Sequence, residues 1–223
     1  MSQNGAIGTK PAYPRIARRG LMLVMSAPSG GGKTTITRRL LELDSHVSVS
    51  ISATTRVKRQ GEVDGQHYFF VSRDKFQDMI KNGEFLEHAE IYGQFYGTPK
   101  APVEKALAAE KDVLFDIDWQ GLQSLKNMMP GDVASIFIMP PNRVELERRL
   151  RGRGQDSEEN LRRRLDTVAQ EVTHSLEYDY IIINRDIDKS VARTRAILEA
   201  ERMKRHRLPG LGDFISEFKP VKT

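Results

Sequence analysis

The residues with the clearest chemistry lie in Ser26-Ala27-Pro28-Ser29-Gly30-Gly31-Gly32-Lys33-Thr34-Thr35. Consecutive glycines let the backbone turn so that several N–H groups converge on one anion. The apolar run Leu21–Met25 before them reads as a buried strand, and Thr34–Glu42 after them reads as a helix. A helix starting there adds its free N–H groups and its positive dipole end to the same anion. In such a loop Lys33 reaches the β- and γ-phosphates of a nucleotide, and the Thr34 hydroxyl sits on Mg²⁺. The usual pattern, G-x-x-x-x-G-K-[ST], begins with Gly, whereas Ala27 stands first here. Alanine costs little at that place if its φ is negative.

Three further groups could act on the same ligand. Arg56 and Arg59 lie three apart beside Ser52, Thr54 and Thr55; guanidinium forks bind phosphate bidentately, and the same stretch also reads as a solvated basic loop. Asp116 and Asp118 follow the apolar Val113–Phe115. A strand-end acid beside a phosphate loop holds Mg²⁺ through water; the competing reading is a pair of capping carboxylates. Strand alternation would put both acids on one face, where a cation must offset their repulsion. The third group is the basic stretch around Arg149-Leu150-Arg151-Gly152-Arg153, followed by Arg162-Arg163-Arg164. It reads as a mobile, arginine-bearing lid or as a basic surface helix; Arg149 and Arg153 share a helical face if the helix runs that far. The five histidines show no metal-ligand spacing.

Positioning these groups takes alternating strands and helices. Strands are expected at Val47–Ser52, Tyr68–Val71, Phe85–Ile91, Gln94–Tyr96, Val113–Asp116, Ala134–Met139 and Tyr180–Ile183. Helices are expected at Arg73–Asn82, Pro102–Glu110, from Arg143 behind an Asn142 cap, at Glu158–Glu171 and at Ala192–Arg205. The alternation predicts an α/β fold with a parallel sheet flanked by helices. The stretch from about 50 to 98, rich in short strands and turns, suggests an inserted subdomain. Residues 1–20 and 208–223 read as flexible tails. The 223 residues are 39% hydrophobic, with no apolar run of spanning length, no signal-peptide core and no cysteine. Membrane spans, disulfides and thiol catalysis are thereby excluded, and a cytoplasmic location is the default. The net charge of +5 fits arginines gathered around a polyanionic small ligand better than nucleic acid as the main partner.

Taken together, these motifs are similar to those of the guanylate kinase family. The matching elements are the loop Ser26–Thr34, Ser52-Ala53-Thr54-Thr55-Arg56 with Arg59, Gly61-Glu62-Val63-Asp64-Gly65 with Tyr68, Phe85-Leu86-Glu87, Tyr96-Gly97-Thr98, Asp116–Gly121, Arg149–Gly154 and Ile183-Asn184. The resemblance spans about residues 20–205. It implies a P-loop core (21–53, 105–142 and 176–207), a mixed α/β GMP-binding subdomain (54–104) and a helical lid (143–175). It implies Mg²⁺-dependent transfer from ATP to GMP or dGMP. By resemblance, Ala27, Pro28, Ser29, Gly30, Gly31, Gly32, Lys33, Thr34, Thr35 and Asn184 contact ATP. Ser52, Arg56, Arg59, Tyr68 and Tyr96 hold the GMP phosphate. Glu87, Thr98 and Asp116 read guanine, Thr34 and Asp116 serve Mg²⁺, and Asp116 does one or both of these jobs. Lys33, Arg56, Arg149, Arg153 and Arg164 are implied as the catalytic cations. Two departures stand out: Ala53 where some relatives carry a polar residue, and Arg185 where an acid is common. A monomer and a homo-oligomer are both compatible with the pattern. Rival readings are an inactive phosphopeptide-binding module, a kinase for another nucleoside monophosphate, and a nucleic-acid binder.

Overall fold

The computed structural model describes residues 16–91, 93–152 and 158–219. In chain order the elements are β1 (Met22–Ser26), α1 (Lys33–Leu43), β2 (Val47–Val49), β3 (Ala53–Thr54), β4 (Phe69–Phe70), α2 (Arg73–Lys81), β5 (Phe85–Ile91), β6 (Gln94–Pro99), α3 (Lys100–Ala108), β7 (Asp112–Phe115), α4 (Trp119–Met128), β8 (Val133–Met139), α5 (Arg143–Arg151), α6 (Glu158–Thr173), β9 (Tyr180–Ile183), α7 (Ile187–Arg202) and α8 (Leu211–Ser216).

Five strands form a sheet in the order β2-β7-β1-β8-β9, and every pairing in it is parallel. β1 is buried on both faces, so its sequence is continuously apolar rather than alternating. Leu21, Leu23 and Met25 pack on one side with Ile36, Leu40, Val191 and Leu198, from α1 and α7. Met22 and Val24 pack on the other with Val103, Leu107, Leu122 and Leu125, from α3 and α4. Parallel strands bring the ends of β1 and β7 to the same edge, which is where open α/β sheets bind ligands. A second sheet, β4-β3-β6-β5, has its own small core of Ala53, Phe76, Met79 and Phe85. Phe76 stacks on Phe85 and Phe95 with ring centroids 4.4 and 5.4 Å apart.

Four sequence-based expectations are corrected. The chain is packed before Leu21: Arg18 donates to Asp112 at 2.8 Å, Arg19 bonds Asp132 at 2.7 Å, and a Cβ on Gly20 would lie 1.9 Å from the Lys111 carbonyl oxygen. Asp112 is fully buried and also takes Arg202 Nη2 at 2.6 Å, so this segment is tied to α7 through one carboxylate. The region after 208 carries α8, and Gly210 N–H donates to Ala17 O at 3.3 Å. α4 follows β7 directly, capped by Asp118, whose side chain accepts from Gly121 N–H. β7 ends at Phe115, so Asp116 and Asp118 do not share a strand face. Finally, α7 begins at Ile187 because the Asp186 side chain accepts from Lys189 N–H and caps it there. The expected Asn142 cap is present, accepting from Glu145 N–H at 2.8 Å.

Candidate active site

The loop between β1 and α1 closes with Gly31 N–H donating to Pro28 O at 2.8 Å. Gly30 and Gly32 have φ of 86° and 102°, a region that L side chains rarely enter. Among the described residues Glu110 is the one non-glycine with positive φ, so Ala27 meets the condition for replacing the usual glycine. α1 starts at Lys33 with no side-chain cap and no acid in its first turn, whereas α2, α4, α5 and α7 are each capped by a side chain. Its first N–H groups, with Thr34 and Thr35 exposed at the helix start, are left for an external anion.

Asn184, expected at the adenine edge, lies directly beneath the loop. It is 3% exposed, its Nδ2 donates to Gly31 O at 2.9 Å, and its Oδ1 accepts from Ser190 Oγ at 2.9 Å. A Cβ on Gly32 would lie 2.2 Å from that Nδ2. The side chain braces the loop from below through one bond from its amide nitrogen and one to its amide oxygen. Asn184→Ala is therefore expected to cost about 1–3 kcal/mol of stability, the usual penalty for orphaning a buried carbonyl, and to raise KM for the loop's ligand. Urea unfolding and steady-state kinetics check both.

Lys33 Nζ pairs with the Asp116 carboxylate at the end of β7. Together with Asp118, Glu171, His174 and Tyr178 they line a cleft of about 210 Å³. Two arginines reach this edge, one from α5 and one from α6. Arg149 Nη2 donates to Asn184 O at 2.9 Å, and its Nε donates to Glu145. Arg164 Nη1 meets Ser29 Oγ at 3.3 Å. Arg153 lies outside the described residues.

The second sheet carries the remaining predicted residues. Glu87 on β5 faces Thr98 on β6 in the antiparallel register, and Thr98 Oγ1 donates to Glu87 Oε1 at 2.6 Å. Burial is the main influence on Glu87 and pushes its carboxyl pKa up; the hydrogen bonds from Thr98 pull the other way, and Asp118 adds repulsion. Arg56 lies over the rings of Tyr68 and Phe70, at 5.3 and 5.7 Å, and Tyr68 meets Tyr96 edge-on at 6.1 Å. Arg59 is exposed on the same loop, and Ser52 is half-buried just before β3.

Glu62 lies in the Gly61–Gly65 stretch and has no role implied by sequence. It bonds Arg56 Nη2 at 2.6 Å and accepts from Arg59 N–H at 2.7 Å. The Arg56 guanidinium holds its carboxyl below the usual range. The carboxylate takes one nitrogen of the Arg56 guanidinium, the other end donating to Val57 O, with the group lying over the two rings. Trp119 and His174, also unassigned by sequence, stack with centroids 4.0 Å apart. The spacing of Arg56 and Glu62 offered a signal for the first pair; nothing in the sequence links the second.

A family profile described as guanylate kinase matches residues 19–201. The chain is 54% identical over 206 residues to guanylate kinase of Paramagnetospirillum magneticum, covering 92% of this chain and 96% of that one. It is 53% identical over 201 residues to guanylate kinase of Cereibacter sphaeroides, covering 90% and 95%. Among solved structures, guanylate kinase from Anaplasma phagocytophilum aligns with a TM-score of 0.70 at 38% identity, covering 93% of this chain and 99% of that chain. A phosphate loop on a parallel sheet, a neighbouring sheet with a buried acid–hydroxyl pair, and similarity along nearly the whole chain have one common explanation: the chain belongs to the guanylate kinase family.

Proposed function

We propose that this chain transfers the γ-phosphoryl group of ATP to GMP, giving ADP and GDP. The observation that carries the guanine assignment is the Glu87–Thr98 pair. Guanine offers N1–H and N2–H donors for a carboxylate and an O6 acceptor for a hydroxyl; the pair carries both groups, with the Thr98 proton held by Glu87 at 2.6 Å until a base takes it. Asp116, exposed at the strand end, is the third group on that edge. Arg56, Arg59, Tyr68, Tyr96 and Ser52 take the GMP phosphate, with Glu62 yielding the Arg56 fork to it. No residue is assigned to the ribose 2′-hydroxyl, so dGMP is expected as an acceptor too.

The reaction breaks the bond between the γ-phosphorus and the β–γ bridging oxygen and forms one to a GMP phosphate oxygen. That oxygen is already ionised at neutral pH, so no general base is needed. Catalysis is positioning and charge neutralisation by Lys33, the loop N–H groups and the arginines Arg56, Arg149 and Arg164; Arg153 is proposed for the same role. Among the described residues no three or more His, Cys, Asp or Glu side chains are grouped to hold a metal. A hydroxyl and a carboxylate, Thr34 and Asp116, are instead the hard oxygen donors that suit a Mg²⁺ arriving with the nucleotide and keeping most of its waters. Such an ion would neutralise charge between the phosphates. No helix among the described residues is long and apolar enough to cross a membrane, and turnover of free nucleotides fits a cytoplasmic enzyme.

An ADP-release assay with ATP and Mg²⁺, offering GMP, AMP, CMP and UMP separately, tests the reading. Turnover is expected with GMP; turnover with another base instead would overturn the roles of Glu87 and Thr98. A pH profile adds a second check. Guanine binding needs Glu87 ionised, and burial has raised its pKa. KM for GMP should therefore rise as pH falls through that raised value, starting above the pH at which an ordinary carboxylate protonates. Glu87→Gln should abolish that limb of the profile.

A further inference from the structure

α5 rests on the phosphate loop and carries two neighbouring arginines with different surroundings. A Cβ on Gly30 would lie 2.8 Å from the Leu146 side chain and 3.1 Å from that of Leu150, so the helix packs directly on the loop. The side chain of Arg148 is 73% exposed, whereas that of Arg149 is 23% exposed. Arg149 is bonded along one edge of its guanidinium: Nε donates to Glu145 Oε1 at 2.8 Å and Nη2 to Asn184 O at 2.9 Å. Asn184 in turn donates to Gly31 O, so that edge is one side chain away from the loop. Nη1 makes no hydrogen bond among the described residues, which leaves it for a ligand. Glu145 is itself held by its backbone, its N–H donating to the Asn142 cap at 2.8 Å. Its carboxylate also takes Arg148 Nε and Nη2, each at 2.7 Å. An ordinary i,i+4 pair on a helix surface would leave the guanidinium in solvent, with no link to another element. Helix stabilisation alone therefore does not account for the arrangement.

We propose that Glu145 is a positioning residue for phosphoryl transfer, fixing the Arg149 guanidinium beside the phosphate loop so that its remaining nitrogen meets the phosphates. Bonds at neighbouring nitrogens, to two different elements, set the plane and direction of the group. A charge held in place beforehand costs no rearrangement as the transition state forms. A carboxylate so close would by itself cancel the charge that it orients. Arg148 offsets this, since two guanidinium groups around one carboxylate still leave a positive charge for the ligand. The hydrogen bonds from Arg148, then those from Arg149, hold the Glu145 carboxyl pKa down at about 2, so the acceptor is ionised at neutral pH. Glu145 acts through Arg149 and touches no substrate itself. The inference rests on the reading of Arg149 as one of the arginines that meet the transferring phosphate.

The test is a double-mutant cycle of wild type, Glu145→Ala, Arg149→Ala and the double variant. It is read in steady-state kinetics with ATP and GMP varied in turn, below the melting temperature of the least stable protein. Arg149→Ala should lower kcat about 10²-fold or more. Glu145→Ala should lower kcat about tenfold, the worth of one charge-assisted hydrogen bond, with KM for GMP within about twofold of wild type. In the Arg149→Ala background the same change at Glu145 should cost less than about twofold. Glu145→Gln keeps an oxygen for the Arg149 Nε–H and should recover part of the loss. An unchanged kcat in Glu145→Ala would overturn the proposal. So would an equal loss in both backgrounds, or a lower Tm with parallel rises in both KM values, which mark a residue that only holds the helix. If wild type does not phosphorylate GMP, the assigned reaction fails, and the same cycle read as ATP affinity by equilibrium titration decides the positioning role. Losses confined to the background that keeps Arg149 support it; equal losses, or none, overturn it.

Discussion

Replacing Lys33 by alanine is expected to lower kcat about 10²- to 10³-fold, the usual cost of removing one preorganised positive group from a charge-stabilising site. Lys33 sits at the first position of α1, where the helix presents N–H groups with no side-chain cap. Its ammonium is the one cationic group lining the cleft among the described residues, facing Asp116, Asp118 and Glu171. Without it those carboxylates would meet a triphosphate unscreened, so KM for ATP should rise as well. Stability should barely change. The Lys33–Asp116 pair is open to solvent, with side chains 22% and 58% exposed, and such pairs contribute about 1 kcal/mol or less. Lys33→Arg should not restore activity, because a planar fork does not occupy the place of a compact ammonium. Kinetics and urea unfolding on the same preparations separate the two effects. A kcat within about threefold of wild type would show that Lys33 does not meet the transferring phosphate.

The legibility of this chain follows from how local each determinant is. The phosphate loop is legible because strand, glycines, Lys33 and helix are contiguous, and their chemistry follows from that order. β5 and β9 are placed as expected because their ends are marked by turns and a polar residue. α4 escapes notice because Gly121 interrupts its start; what makes it a helix is the Asp118 cap and the burial of Leu122 and Leu125 against the sheet. The ordered segment 18–20 escapes because its partners, Asp112 and Asp132, lie about ninety and more residues away. Asn184 is assigned to the nucleotide by resemblance alone; its bonds to Gly31 and Ser190 beneath the loop join residues that no sequence spacing links. Contacts between distant elements, such as Arg164 with Ser29 or Trp119 with His174, leave no periodic trace that a single sequence could reveal.

The largest change in substrate choice is expected at Glu87 and Thr98. Glu87→Gln offers guanine one amide oxygen and a misplaced donor in place of a carboxylate. Loss of one hydrogen bond to a charged group, about 1.5–3 kcal/mol, corresponds to a rise of about 10- to 100-fold in KM for GMP. Discrimination against AMP should shrink with it, since rejection of adenine depends on leaving the site's buried polar groups unpaired. Folding should not suffer. The folded pKa of Glu87 is raised by burial, so its contribution to stability is present in acid and lost as pH rises through that value. At pH 7 the ionised group opposes folding, and Glu87→Gln should melt no lower than wild type. Thr98→Val keeps the shape of a 1% exposed side chain but removes the hydroxyl whose single proton goes to Glu87 in the free protein and would turn to O6 when guanine binds. It should raise the Glu87 pKa further and move the acid limb of the GMP profile to higher pH. Because the two side chains touch at 2.6 Å, their effects on GMP binding should not add: the double variant should lose less than the sum of the single losses. Strict additivity would mean that the two groups read the base independently, and that their hydrogen bond plays no part in the choice of guanine.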